Sequence, residues 1–346
     1  MRDGLLRGQP NAITQTKDGY IWIGTAAGLL RFDGVRMVLW KPPSDNQLPS
    51  PNITALLAAR DGSLWIGTAE GLSHWTHQSL LTYLKEPGLI SSILEDRSGI
   101  IWITRSHVSK TAGGALCQVS GPKSQCYQVP DESLIGSCCD ALVEDRSENL
   151  WIGSDTGLLR WRDESLSIYP NKYLVPNTGF DGVESTVSAS DGSLLVGIDH
   201  GGRGAGLERF AQGSWKPFRQ PGLDGSKLAI ASLFEDRDRA LWIGTWDRGI
   251  YRIRGSRVDH FGSADGLSSN TVYSFFQDSE GNIWVATSQG VDCFRDIPVV
   301  SFSMREGLTA DNPVSVLVAH DGTVWVGNAG GLDAIRDGII SSIRAG

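Results

Sequence analysis

Hydrophobic and polar residues alternate with a period of two in many short segments of the chain, and turn residues separate these segments. In one example Thr271–Gln277 alternates, Glu280–Gly281 forms a turn, and Ile283–Thr287 runs back. Val291–Phe294 and Val299–Phe302 follow and complete the unit. This pattern predicts a four-stranded antiparallel sheet formed by consecutive strands.

The unit recurs at a spacing of about 40 to 45 residues, which is typical of propeller blades. The clearest copies contain WIGT or WIGS and start at Trp22, Trp65, Trp151 and Trp242. Weaker copies start at Trp102, Trp284 and Trp325, and the copy at Leu195 has lost its tryptophan. We assign one domain, residues 1–346, with eight repeats at about 10–46, 51–86, 90–130, 138–175, 183–222, 228–265, 270–309 and 313–346.

The repeat residues predict how the units pack. Asp-Gly pairs such as Asp18–Gly19 favour two-residue hairpin turns, and the repeated tryptophans are expected to fill the wedges between sheets. The glycine two residues after each tryptophan, such as Gly24, is expected to permit close backbone approach within the sheet. Since one sheet exposes two apolar faces, a closed ring of sheets satisfies every unit. The predicted fold is therefore an all-β propeller with eight blades, or alternatively seven blades and one leftover unit.

Composition and charge narrow the possible functions. The 42 Gly and 12 Trp residues agree with many turns between aromatic-rich strands. The net charge of −8, with charges interspersed, argues against nucleic-acid binding. No apolar stretch approaches the roughly 20 residues that span a bilayer, and residues 1–11 lack the apolar centre of a signal peptide.

Ligands of propellers bind where loops surround the central channel. Candidate binding residues are therefore expected in the loops between second and third strands and in the segments that lead into first strands. Trp246 is the first candidate, because an exposed indole beside Asp247 and Arg248 suits a sugar ring or a peptide. The alternative is a tryptophan that covers a neighbouring blade beside a solvated ion pair. The remaining candidates on these segments are Glu70, His107, Asp155, His200, Arg203, Gln289, Asn11, Asn52 and Asn270.

Two of these groups have structural alternatives. Asn11, Asn52 and Asn270 can satisfy backbone groups at strand starts. The glycine-rich insertion His200–Gly206 does not lie between a strand and a helix, as a phosphate-binding loop does, and is predicted to be a mobile hairpin extension.

Catalytic and metal chemistry is not predicted. The pairs Glu95–Asp96, Glu144–Asp145 and Glu235–Asp236 recur at one repeat position, which indicates a structural turn because a catalytic pair needs only one copy. No nucleophile motif is present, and the six histidines are scattered over different repeats. We therefore expect no enzyme activity, no metal and no cofactor.

Cysteine positions allow one disulfide. Cys117 and Cys126 flank Gly121–Pro122 symmetrically in a predicted hairpin, so their side chains can face each other. A disulfide there would favour an oxidising compartment. Cys138–Cys139 and Cys293 are expected to be core residues.

The repeat, a turn followed by N-L-W-I-G-T and then G-L-x-R-F, resembles that of the two-component regulator propeller family. The opening repeat, Asp3–Arg36, is similar to the first blade of sensor kinases and diguanylate cyclases of this type. The resemblance implies a ligand-sensing propeller located in the periplasm or elsewhere outside the cytoplasm. It also implies about twice as many blades, a small β-sandwich, a transmembrane helix and an output domain, so we expect a fragment, a truncated gene product or a stand-alone relative of a larger sensor.

Other function classes remain open at this point. Propeller lyases of the streptogramin type have similar repeats, and His200, Glu70 and Asp155 would then be the catalytic candidates. A protein-interaction scaffold of the WD-repeat kind is the third possibility. The expected partner is a small ligand, with an oligosaccharide as the leading candidate, and the sequence leaves homodimerisation open.

Overall fold

The computed structural model describes residues 8–42, 46–76, 78–84, 88–106, 115–120, 123–127, 141–174, 182–295, 302–304, 307–336 and 339–343. The chain divides into two compact units, Met1–Arg295 and Asp296–Gly346. Regular structure in the described residues consists of strands and two short 3-10 turns, Gly225–Lys227 and Ser263–Asp265. The all-β prediction is therefore confirmed.

Each sheet of the first unit consists of consecutive antiparallel strands. Sheet 1 contains β1 (Pro10–Gln15), β2 (Ile21–Thr25), β3 (Gly28–Phe32) and β4 (Met37–Leu39). Sheet 2 contains β5 (Ile53–Ala58), β6 (Leu64–Thr68), β7 (Gly71–Trp75) and β8 (Leu80–Leu84). Sheet 3 contains β9 (Leu89–Glu95), β10 (Ile101–Ser106), β11 (Leu116–Ser120) and β12 (Lys123–Tyr127). Sheet 4 contains β13 (Leu142–Glu144), β14 (Leu150–Ser154), β15 (Gly157–Arg162) and β16 (Ser165–Pro170).

The later sheets follow the same order. Sheet 5 contains β17 (Val183–Ser188), β18 (Leu194–Ile198), β19 (Leu207–Ala211) and β20 (Ser214–Pro217), and a hairpin of β21 (Arg219–Gln220) and β22 (Leu223–Asp224) follows it. Sheet 6 contains β23 (Ile230–Glu235), β24 (Leu241–Thr245), β25 (Ile250–Arg254) and β26 (Arg257–Phe261). Sheet 7 contains β27 (Val272–Gln277), β28 (Ile283–Thr287) and β29 (Gly290–Phe294). Most of its predicted fourth strand, Val299–Phe302, lies outside the described residues.

Within the described part of the first unit, seven sheets close into a ring. The first strand of each sheet packs against that of the next, and β1 also packs against β27. The backbone N–H of Ser279 in sheet 7 donates to Gln15 Oε1 in sheet 1 (2.7 Å). The equivalent bond between consecutive sheets 3 and 4 runs from the N–H of Arg97 to Glu144 Oε2 (3.0 Å). Because sheet 7 covers the face that sheet 1 would offer to an eighth blade, the favoured count of eight blades is not confirmed.

The second unit contains one described sheet, sheet 8, with β30 (Pro313–Val318), β31 (Val324–Asn328), β32 (Gly331–Arg336) and β33 (Ile339–Ile343). Its own core is a small cluster formed by Leu308, Val326 and Ile335. The strands of the eighth repeat lie in this second unit.

The recurring acidic residues have a structural role. Trp242 Nε1 donates to Asp236 Oδ2 (2.7 Å), and the same bond joins Trp102 to Asp96 (2.8 Å). The other carboxylate oxygen of Asp236 accepts from the N–H of Ala240 (2.8 Å), which closes the turn. The second acid of each pair therefore holds the buried tryptophan of its own sheet.

The repeat glycines act between sheets rather than within one. A Cβ at Gly197 would come within 2.3 Å of Ile230 Cγ2 in the next sheet, and one at Gly24 within 2.6 Å of Ile53 Cγ2. A side chain on the second strand would push the next sheet away. The expectation of close approach within a sheet is thus corrected, because the approaching group is the β-branched side chain that begins the neighbouring sheet.

Candidate functional site

The segments singled out from the sequence lie at one end of the ring. The backbone N–H of Trp246, in the loop between β24 and β25, donates to the carbonyl of Ala229 just before β23 (3.0 Å). In sheet 2 the N–H of Ala69 donates to the carbonyl of Asn52 in the same way (3.0 Å). Loops between second and third strands therefore lie beside the segments that lead into first strands.

At this end the first strands surround a cavity of about 310 Å³, which we call the channel mouth. Sheets 1, 2, 3, 5, 6 and 7 all contribute to it. Its lining residues are Asn11, Asn52, Thr54, Leu89, Ser91, Glu184, Ala231, Trp246 and Tyr273. The fold thus brings together three of the candidates, Asn11, Asn52 and Trp246.

Trp246 is held by its backbone and by one ring contact. The hydroxyl of Thr271 donates to its carbonyl (2.8 Å), and the Tyr273 ring meets the indole edge-on, with centroids 5.8 Å apart. The residue is nevertheless 36% exposed. Burial raises the pKa of Tyr273 above its ordinary value, although a hydrogen bond with Gln9 partly opposes that rise. The phenol therefore stays neutral and hydrogen-bonding at physiological pH.

The polar side chains of the channel mouth divide into two groups. Asn11 Nδ2 donates to the carbonyl of Ile53 (2.8 Å), and the hydroxyl of Thr54 donates to that of Ile90 (2.6 Å), so both tie neighbouring sheets together. Asn52 Oδ1, in contrast, is buried and accepts no hydrogen bond from any described residue. Asn52 Oδ1 is therefore an acceptor that can serve a ligand.

The neighbours of Trp246 do not share its position. Asp247 and Arg248 form an exposed ion pair (3.6 Å), and Arg248 lines a different cavity. Asn270 Oδ1 accepts from the N–H of Ser263 (2.8 Å), which agrees with the structural alternative for this residue. Trp246 and Arg248 thus line different cavities, and Asp247 lines neither of the two.

The remaining candidates are spread around the ring. Glu70 and Gln289 are exposed, and their N–H groups donate to the hydroxyls at the ends of β6 and β28. Asp155 is 3% exposed, and His200 Nδ1 lies 2.9 Å from Asp199 Oδ1. None of these four residues lines the channel mouth. His107 lies outside the described residues, and Arg203 lines the same second cavity as Arg248.

Sequence reasoning missed Tyr273, Glu184, Thr54 and Ser91, which lie on first strands rather than in loops. Alternation predicts the strands but does not separate these positions from those that face a neighbouring sheet. Only ring closure shows which of these positions meet.

Cysteine and metal chemistry add little to this site. Cys117 and Cys126 face each other in β11 and β12 and form a disulfide (S–S 2.02 Å). Cys293 is a free, partly buried thiol, whereas Cys138 and Cys139 lie outside the described residues. In the described part of the chain, no three metal-ligating side chains converge. The same part contains no helix that is long and apolar enough to cross a membrane.

Three segments of the chain match a known family model. Residues 4–27, 47–70 and 266–289 match the model described as two component regulator propeller. Comparison with curated protein sequences gives no match.

Solved structures with the same fold include extracellular domains of bacterial signalling systems. The extracellular domain of the hybrid two component system BT3049 from B. thetaiotaomicron is 20% identical, with a TM-score of 0.69 over 99% of this chain and 48% of that chain. The extracellular domain of BT4673 from the same organism is 18% identical, with a TM-score of 0.65 over 99% and 47%. This chain thus spans about half of the length of these two domains.

Other propellers have the same fold with different functions. Virginiamycin B lyase from Staphylococcus aureus, crystallised with quinupristin, is 16% identical, with a TM-score of 0.64 over 83% of this chain and 94% of that chain. At such identities the likeness establishes the fold, and function must be argued from the site.

Proposed function

We propose that this regulator propeller is a ligand-binding sensor module of a two-component-type signalling protein and that its ligand binds at the channel mouth. The observation that carries the proposal is the partly exposed Trp246 indole, which stands beside Tyr273 in a ring of polar side chains. Aromatic rings with adjacent hydrogen-bonding groups suit amphipathic ligands such as sugars.

The residues that line the channel mouth favour the terminal sugar rings of a neutral oligosaccharide. Among its described residues the channel mouth has no basic side chain, whereas Glu184 supplies a carboxylate and Asn52 an unused acceptor. Both accept hydrogen bonds from sugar hydroxyls, and the Glu184 carboxylate repels anions. A volume of about 310 Å³ lies at the small end of ligand cavities, which fits one or two sugar rings.

Sensing requires that the ligand bind one of two states of the protein more tightly. The channel mouth suits this role because residues of six sheets line it, so a ligand there contacts several sheets at once. The extracellular domains of similar fold and the Cys117–Cys126 disulfide support a location outside the cytoplasm.

The lyase alternative has less support. A propeller lyase needs a histidine and an acid at one pocket. His200 contacts Asp199, and neither His200 nor its candidate partners Glu70 and Asp155 line the channel mouth. We therefore propose binding without turnover.

The test is calorimetric titration of the full chain with a panel of neutral di- and trisaccharides, followed by chromatography of the recovered sugar. Trp246→Ala should weaken binding of the best saccharide by about tenfold or more, since a stacked aromatic contributes about 1–3 kcal/mol by analogy with base stacking. Trp246→Phe should retain most of the affinity, and Gln289→Ala, on the exposed loop of sheet 7, is the matched control.

Unchanged affinity in Trp246→Ala would contradict the site, and conversion of the sugar would favour the lyase reading over the sensor reading. Absence of any binding across the panel by the folded protein would contradict the saccharide assignment.

A further inference from the structure

A second and larger cavity, of about 1130 Å³, lies where sheets 4 and 5 meet. It shares no lining residue with the channel mouth. One wall is the glycine-rich insertion, which differs from the mobile extension expected from its sequence. Asn171 Nδ2 donates to the carbonyl of Gly204 (2.8 Å). The N–H of Gly202 donates to the carbonyl of Ser226 (2.8 Å). These bonds hold the insertion against sheet 4 on one side and the Gly225–Lys227 turn on the other.

The insertion needs glycine to form this wall. Gly204 has a φ of +71°, and a Cβ there would come within 2.0 Å of the Tyr173 ring. The loop therefore packs directly against Tyr173, whose ring is also contacted by two cations. Lys172 Nζ and the Arg203 guanidinium each lie 5.1 Å from the ring centroid. Cations held over an aromatic face remain available to an anion at their outer side.

The floor of the cavity contains a buried acid and a buried donor. Glu208 on β19 is 1% exposed, and its Oε1 makes no hydrogen bond with any described residue. Trp215 Nε1 on β20 is buried and equally without a described partner. In the β19–β20 register Glu208 is opposite Pro217, so Trp215 is its diagonal neighbour on the same face of the sheet.

Such groups are costly to bury unless something pairs with them. Burial raises the pKa of Glu208 to about 7, and the charge of Arg219 only partly opposes this rise. A hydroxyl group fits the floor, because it donates to the carboxylate and accepts from the indole N–H.

The rim has the opposite charge. Lys172, Arg203, Arg219, Lys227 and Arg248 line the cavity, and Glu208 is its one acidic lining residue among those described. Arg219 is paired with Asp224 (3.2 Å) and Arg248 with Asp247 (3.6 Å). The other three form no ion pair with a described residue. In a chain whose net charge is −8, this local excess of cations favours an anion.

We propose that the sheet 4–5 cavity is a second binding site, for an acidic oligosaccharide whose carboxylates meet Lys172, Arg203 and Lys227 while a hydroxyl reaches Glu208 and Trp215. The size of the cavity fits two or three sugar rings. A nucleotide is also anionic and hydroxylated, but the interior acid at Glu208 disfavours a phosphate placed deep in the cavity.

The test uses trigalacturonate, its carboxyl-reduced neutral trisaccharide, and ATP as three probes for calorimetric titration of the full chain. Trigalacturonate should bind, and the matched neutral sugar should bind about tenfold more weakly or not at all. Arg203→Ala and Lys227→Ala should each weaken trigalacturonate by about tenfold. Lys216→Ala, on β20 but outside the lining, is the matched cation control and should leave affinity unchanged.

Glu208→Leu should weaken trigalacturonate, while Glu208→Gln, which keeps an acceptor, should retain most of the affinity. Trp246→Ala should leave the affinity for trigalacturonate unchanged. The proposal for this cavity and the proposal for the channel mouth can therefore be contradicted independently. Equal binding of the acidic and neutral trisaccharides, tighter binding of ATP, or no binding of trigalacturonate by the folded protein would each overturn the proposal.

Discussion

Sheets 6 and 8 are built from the same kind of repeat, but their residues differ greatly in exposure. All five residues of β24 in sheet 6 are buried, whereas in the equivalent β31 of sheet 8 only Val326 is buried. The first strands differ more: Leu233 of β23 is 6% exposed, and Val316 at the equivalent position of β30 is 64% exposed. Sheet 6 lies in the closed ring of the first unit.

The difference teaches that the repeat supplies a sheet but not a core. A central strand such as β24 is apolar on both faces of its sheet, and only neighbouring sheets can cover both faces. Where neighbours are present, as in the ring, the same residues become the interior. Stability in this fold is therefore a property of the interfaces between sheets.

The largest expected effect comes from removing the same kind of side chain in both places. Leu233→Ala should lower the free energy of unfolding by about 2–5 kcal/mol, because it leaves a cavity between sheets. Val316→Ala should change it by less than about 0.5 kcal/mol, because its side chain is already in solvent. Urea unfolding followed by tryptophan fluorescence measures both. Equal losses would mean that β30 is covered in solution.

Each unit contains a buried acid, and the pKa values of the two acids shift in opposite directions. Glu208 Oε1 and Asp333 Oδ1 both lack a described hydrogen-bond partner, and burial raises the pKa of Glu208 to about 7. Burial of Asp333 in sheet 8 also opposes ionisation, but hydrogen bonds from Ser342, Thr309 and Asn328 lower its pKa below 3.8 overall. The presence or absence of hydrogen-bond donors, rather than burial, therefore decides in which direction each pKa shifts.

These pKa values predict opposite pH dependences. For Glu208 the native state holds its proton more tightly than the unfolded chain, so stability falls as pH rises from about 4.5 to 7, by up to about 3 kcal/mol. Glu208→Gln should remove this loss and stabilise the first unit at pH 8. For Asp333 the stabilisation is present above its ordinary pKa and is lost as pH falls through the lowered value. Thermal unfolding across pH, with Asp333→Asn as the counterpart, measures both, and parallel profiles would contradict the assignment.

A smaller effect is expected at the repeat glycine. Gly197→Ala should cost about 1–3 kcal/mol, because its Cβ meets the branched side chain of Ile230 in the next sheet. At the same position of sheet 8, the Cβ of Gly327→Ala would lie 2.5 Å from Ser315 Oγ. This hydroxyl belongs to the same sheet and can rotate away. Chemical unfolding of both variants compares them, and a greater loss for Gly327→Ala would show that the contact between sheets is not what limits this position.

The candidate site shows how far sequence reasoning reached. Trp246 was found because it interrupts a repeat, and Asn11 and Asn52 because they stand where first strands begin. Tyr273 and Glu184 follow the ordinary alternation of their strands, so nothing in the sequence separates them from core positions. Glu208 also looks like any polar position of a third strand, and only its burial and missing partner distinguish it.

By itself the sequence determined the strands, their order within each sheet and the repeating unit, because alternation, turn residues and the WIGT segment act locally. The tertiary structure alone decided that the ring closes after seven sheets, that Trp246 and Arg248 face different cavities, and that Glu208 is buried without a partner. Each of these depends on which distant residues meet, and a repeat that recurs in every sheet contains no information about where the ring closes.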